Sequence, residues 1–122
     1  MTEVSAKKKR VLIVEDDLII SLVTENIVTE LGHEVIGKAV SGDEAIELAL
    51  LHKPNLILMD IRLKGEIDGI ESVKEIQEKI STSVIYLTVN SDRLNYERAQ
   101  ETKFIDLISK PFTKEDLLKH LN

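Results

Sequence analysis

The sequence predicts an α/β fold, a doubly wound parallel sheet with helices on both faces, and three observations carry that reading. Apolar runs of strand length alternate with longer stretches of helical period, in five successive pairs, the pattern of repeated strand-helix-strand units. The runs Val11-Leu12-Ile13-Val14 and Leu56-Ile57-Leu58-Met59 are apolar at every position, as suits strands covered by helices on both sides. Each run also stops at carboxylates, Glu15 and Asp16 after the first and Asp60 after the second. Parallel strands bring their C-terminal ends to one edge of the sheet, where open folds of this class bind ligands.

The first strand covers about residues 10–15 and reads as central. Ile19, Leu22, Val23, Ile27 and Leu31 then share one face of a helix that Gly32 stops. The second strand, 34–40, carries Glu34, Gly37 and Lys38 among its apolar residues, which suits a sheet edge. Ser41-Gly42-Asp43-Glu44 reads as a capping box opening a helix to about His52, which Pro54 ends. Residues 56–60 form the third strand, and an open, flexible loop with a polar turn at Lys64-Gly65-Glu66 follows. Asp68-Gly69-Ile70-Glu71 starts a third helix with Ile70, Val73, Ile76 and Ile80 on its apolar face. The fourth strand is 83–88. The segment 91–102, capped by Ser91, is a weak helix with Leu94 and Ala99 as its only aliphatic members, which predicts a loosely held element. Residues 104–110 supply the fifth strand, Pro111 a turn, and Thr113 with Asp116 opens a last helix containing Leu117, Leu118 and Leu121.

A chain of 122 residues with 43% hydrophobic content suits a single domain with a real core, over 10–122, after a flexible segment at 1–9. Net charge is −6, from 16 basic and 22 acidic residues, which argues against a nucleic-acid surface. The basic run Lys7-Lys8-Lys9-Arg10 reads as a solubilising stretch beside a strand edge. No segment is apolar over the length of a membrane span. Cysteine is absent, which excludes thiolate metal sites and makes the cytoplasm the expected location. His33, His52 and His120 lack ligand-like spacing and are expected at the surface.

The strand ends hold the chemistry. Asp16 and Asp17 both precede the first helix and either suits its cap, whereas Asp60 is followed by Ile61-Arg62-Leu63, where no helix starts. The fourth and fifth strands end at Thr88 and at Lys110, the latter held extended by Pro111. Carboxylates gathered at one edge repel unless a divalent cation joins them, and hard oxygen ligands favour Mg2+, with Mn2+ as the alternative. Phosphoryl transfer to a carboxylate needs a nucleophile, a cation and donors for the equatorial oxygens. Asp60 suits the nucleophile; Glu15 and Asp16, with the backbone carbonyl of Arg62, suit the cation; Lys110 and Thr88 suit the transferred group.

The set Ile13-Val14-Glu15-Asp16-Asp17, Met59-Asp60-Ile61-Arg62, Leu87-Thr88 and Ser109-Lys110-Pro111-Phe112 resembles a response-regulator receiver domain of two-component signalling, from about Arg10 to Leu121. The resemblance implies a flavodoxin-like three-layer sandwich with strand order 2-1-3-4-5. It further implies that Asp60 accepts a phosphoryl group from a sensor histidine kinase or a phosphotransfer protein in a phosphorelay. Asp16 and Asp60 would bind Mg2+ directly and Glu15 through water, with Thr88 and Lys110 as the phosphate-sensing pair and a cis Lys110-Pro111 bond. A downstream protein partner would read the face built from the fourth helix, fifth strand and fifth helix. Such a domain catalyses only its own phosphorylation and dephosphorylation. Three positions depart from the family pattern. Leu107 replaces a common aromatic, so coupling is expected to run through another contact. Leu63-Lys64-Gly65-Glu66 lengthens the loop where many members carry proline, and Glu15 stands for the commoner Asp.

Two other classes are disfavoured by the same residues. A metal-dependent phosphatase with an aspartyl intermediate commonly uses Asp-x-Asp, and Arg62 occupies the third place here. A flavin carrier would place a phosphate where Glu15-Asp16-Asp17 repels it.

Overall fold

The computed structural model describes residues 8–89 and 93–121. Its elements are β1 (Arg10–Val14), α1 (Leu18–Glu30), β2 (Glu34–Ala39), α2 (Gly42–His52), β3 (Leu56–Asp60), α3 (Gly69–Gln77), β4 (Ser83–Thr88), α4 (Arg93–Ala99), β5 (Asp106–Ser109) and α5 (Lys114–Leu121). The five strands form one parallel sheet in the order β2-β1-β3-β4-β5, as expected. The predicted cap Ser91 and most of the 1–9 segment lie outside the described residues.

Alternation along the strands divides the core between the two faces. Leu12, Val14, Ile57, Met59, Val84 and Tyr86 point toward α2, α3 and α4, where they meet Ala45, Ala49, Ile70, Val73, Ile76 and Ala99. Val11, Ile13, Leu56, Leu58, Ile85 and Leu87 point the other way, toward Val28 of α1 and Leu117 and Leu121 of α5. The apolar face predicted for α3 is observed, and burying Ile70, Val73 and Ile76 stabilises by roughly 1.5–3 kcal/mol each. Asp68 and Glu71 cap this helix reciprocally. Thr113 and Asp116 do the same ahead of α5, each accepting from the other's backbone N–H.

Four expectations need correction. The first concerns α1, whose predicted face holds only at its C-terminal end: Ile27 and Leu31 pack on the core, but Ile19 is 76% exposed and Leu22 and Val23 are also exposed, while Ser21, Thr24 and Val28 are buried. Small hydroxyl side chains can face a sheet when their polar atoms are satisfied, and Thr24 Oγ1 donates to Ile20 O at 2.7 Å. At α2, Ser41 caps as expected, but Glu44 reaches past it and accepts from Val40 N at 2.8 Å. Third, His33 is buried, its Nδ1 accepting from Lys9 N at 2.9 Å. Lastly, the loop after β3 is anchored. Ile61 is buried, Leu63 packs on the core, and Lys64 forms a parallel bridge with Ser41.

The basic run also has a structural member. The guanidinium of Arg10 donates to the carbonyls of His52 and Lys53 at 2.9 and 3.0 Å and so caps the C-terminus of α2.

Candidate functional site

Strand register brings the predicted residues together. Val14 pairs with Met59, so Glu15 and Asp60 follow side by side. Asp60 pairs with Leu87 and is followed across the sheet by Thr88, which pairs with Ser109 and so stands next to Lys110. The Lys110 N–H donates to Thr88 O at 2.8 Å, extending the ladder to the site, and the Lys110-Pro111 bond is cis as expected.

Asp60, Glu15 and Thr88 are buried, with Asp60 only 4% exposed. The Lys110 ammonium bridges the two acids, donating to Glu15 Oε1 at 2.7 Å and Asp60 Oδ2 at 3.3 Å. The other Glu15 oxygen accepts from Asp17 N at 3.1 Å. Asp17 Oδ1 accepts from Ile19 N and Ile20 N, so Asp17 caps α1 and Asp16 is spared that role. Glu15, Asp16 and Asp60 each offer a carboxylate oxygen, all within 4.8 Å of one another. Arg62 lies in the bend two residues past Asp60, with its side chain exposed.

Electrostatics at this edge are uneven. Burial, reinforced by the charge of Glu15, pushes the Asp60 carboxyl up from 3.8 to about 7, and Lys110 offsets only part of this. Burial also opposes the charged form of Lys110, but its hydrogen bond to Glu15 and the charges of Asp60 and Glu15 outweigh that and raise its pKa. A hard divalent cation fits the donor set: all three side chains offer oxygen, and two are crowded carboxylates held out of water.

Gly69 is a residue whose bearing on the site the sequence reading missed, having taken it only as part of a helix start. Its N–H donates to Ile61 O at 2.8 Å, turning the chain back toward β3. A Cβ at this position would lie 2.1 Å from Asp60 O and 2.9 Å from Met59 Cγ. A glycine opening a helix, where alanine is the better helix former, was the available signal.

Fold and site together define a flavodoxin-like α/β protein with a lysine-bridged carboxylate cluster in the crevice at its strand ends. Residues 11–122 match the family model of the response regulator receiver domain, and the chain belongs to that family. It is 39% identical over 114 residues to the transcriptional regulatory protein PdtaR of Mycobacterium tuberculosis, covering 93% of this chain and 55% of PdtaR, so it spans about half of that relative. It is 33% identical to the chemotaxis protein CheY of Thermotoga maritima, with 93% of this chain and 95% of CheY covered. The crystal structure of the response regulator domain of Thermotoga maritima CheB superposes with a TM-score of 0.82 at 30% identity, covering 94% of this chain and 91% of that one. No helix among the described residues is long and apolar enough to cross a membrane.

Proposed function

We propose that residues 10–122 act as a phospho-acceptor receiver in the cytoplasm, taking a phosphoryl group onto Asp60 from a phosphohistidine of a sensor histidine kinase or phosphotransfer protein. The observation that carries this reading is a buried carboxylate, Asp60, grouped with two other acids and one ammonium at an open sheet edge. An Asp60 oxygen attacks phosphorus as the bond to the imidazole nitrogen breaks, and the electron pair of that bond stays with the imidazole. Asp16 and Asp60 would hold Mg2+ or Mn2+, Glu15 through water and the Arg62 carbonyl completing the set. Bound there, the cation supplies positive charge against the phosphoryl oxygens. Lys110 spends two of its three N–H donors on Glu15 and Asp60 and keeps one for an incoming oxygen. The Thr88 hydroxyl takes another once the group is in place.

The surroundings suit a protein donor. An apolar groove of about 300 Å³, lined by Ile19, Ile20, Val23, Val89 and Phe112, opens beside Lys110 and Pro111. A donor helix covering it would bury the outward side chains of α1. The output surface is then the face of α4, β5 and α5, where Leu94, Tyr96, Ile105 and Leu118 are exposed.

Incubation with acetyl phosphate and magnesium should add one phosphoryl mass, and peptide mapping should locate it on Asp60. An adduct on another residue, or equal labelling in the presence of a chelator, rejects the assignment. The two neighbouring aspartates should separate cleanly. Asp17→Ala is expected to lower stability by about 1 kcal/mol in a denaturant melt, the worth of a helix cap, with magnesium affinity retained. Asp16→Ala is expected to weaken magnesium binding on the order of tenfold or more by calorimetric titration, since one charged ligand is lost.

A further inference from the structure

The fifth strand lacks an aromatic ring at Leu107, and the structure holds α4 by other means. Asp68, the cap of α3, divides its carboxylate. Oδ1 accepts from Glu71 N at 2.9 Å, while Oδ2 pairs with the Arg98 guanidinium of α4 at 2.7 Å. The pair is partly shielded, with side chains 32% and 25% exposed, so it is screened less than a fully solvated one. Asp68 is itself fixed on both sides, its N–H donating to Glu71 Oε1 and its carbonyl accepting from Ser72 Oγ. The next residue is Gly69, packed against the Asp60 carbonyl so closely that no side chain fits between them.

A second contact ties α4 to the strand that ends at Thr88. The buried Tyr86 hydroxyl lies 2.8 Å from Thr102 Oγ1, which donates at 2.6 Å to the carbonyl of Ala99, the last residue of α4. The ring of Phe104 stands between Tyr86 and Tyr96 of α4, at 5.5 and 6.2 Å. Among the described residues, the only ion pair between α4 and the turn that packs on the Asp60 carbonyl is Arg98 with Asp68.

We propose that the Arg98–Asp68 ion pair is a positioning link that transmits a change at Asp60 to α4. It rests on the reading of Asp60 as the phosphoryl acceptor. A shift of the Asp60 carbonyl moves Gly69 by direct contact and Asp68 with it, and Arg98 must follow or break its pair.

Beryllofluoride with magnesium serves as the mimic of phosphoaspartate, and amide exchange of the full chain is read by mass spectrometry over residues 61–68 and 93–101. In the unsubstituted chain the mimic should protect 61–68 and change exchange over 93–101 by at least about fivefold, the lower end of typical allosteric coupling. Arg98→Ala, and Asp68→Asn with its cap retained, should each lose the response at 93–101 while 61–68 stays protected. The double substitution should do no more than either single one, and Arg98→Lys should restore part of the response. A purely structural pair would raise exchange of α4 equally with and without the mimic, leaving their ratio intact. That result, or additive effects in the double variant, overturns the link alone. No protection of 61–68 in the unsubstituted chain overturns the acceptor reading as well.

Discussion

Asp60→Asn is expected to abolish the phosphoryl adduct and, at the same time, to make the metal-free protein more stable at pH 8. The first effect follows from chemistry, because a neutral amide is no nucleophile toward phosphorus. The second follows from linkage. The folded-state pKa of Asp60 is raised from 3.8 to about 7, so between these values the folded protein keeps a proton that the unfolded chain releases. This contribution to stability is present in full below about pH 4 and is lost as pH rises through about 7. At about 1.4 kcal/mol per unit, the three units correspond to on the order of 4 kcal/mol. Denaturant melts of the unsubstituted protein in chelator should therefore fall between pH 5 and pH 8, and those of Asp60→Asn should stay nearly level across that window. Saturating magnesium should recover the loss at pH 8 in the unsubstituted protein only, since ligand that binds the folded state stabilises it by mass action. Equal pH slopes in the two proteins would show that the crowding at this carboxylate is relieved some other way.

Gly69→Ala should damage the site without altering any reacting group. The added methyl would sit 2.1 Å from Asp60 O, and that neighbour is backbone, which cannot rotate aside. Either α3 retreats, opening the contacts of Ile70 and Val73, or the Asp60 backbone is displaced. Overpacking of this kind costs about 3 kcal/mol, the upper part of the usual range, despite the better helix propensity of alanine. The expected readouts are a lower melting temperature and a slower reaction with acetyl phosphate. Gly65→Ala is a useful contrast, because Gly65 has open space around it and only a positive φ of 107° to lose. It should destabilise but leave the acceptor rate nearly unchanged.

Much of this was legible in the chain. Parallel strands roofed on both sides are apolar throughout, so Leu56 to Met59 identify themselves, and a carboxylate that ends such a run marks the open edge. Other features follow from three-dimensional packing that periodicity does not encode. The aliphatic stripe of α1 has the right spacing for a core face, yet only Ile27 and Leu31 of it pack on the core, and the first half of the helix meets the sheet through Ser21 and Thr24 instead. His33 is buried with its Nδ1 accepting from the backbone N–H of Lys9, a long-range contact that its neighbours in sequence do not announce. The pairing of Asp68 with Arg98 crosses two elements, and either residue alone reads as an ordinary surface charge.

The seating of α1 bears on the proposed docking of a phosphoryl donor. Its N-terminal half rests on Ser21 and Thr24, side chains too short to interlock deeply, and its bulky aliphatics lie on the far side. Deep interdigitation fixes a helix in azimuth, and shallow relief leaves it free to roll by a small angle without opening a void. Under the proposed transfer from a protein donor, this surface adjusts its pitch to helices of differing shape, while the strand-end edge beside it keeps its alignment.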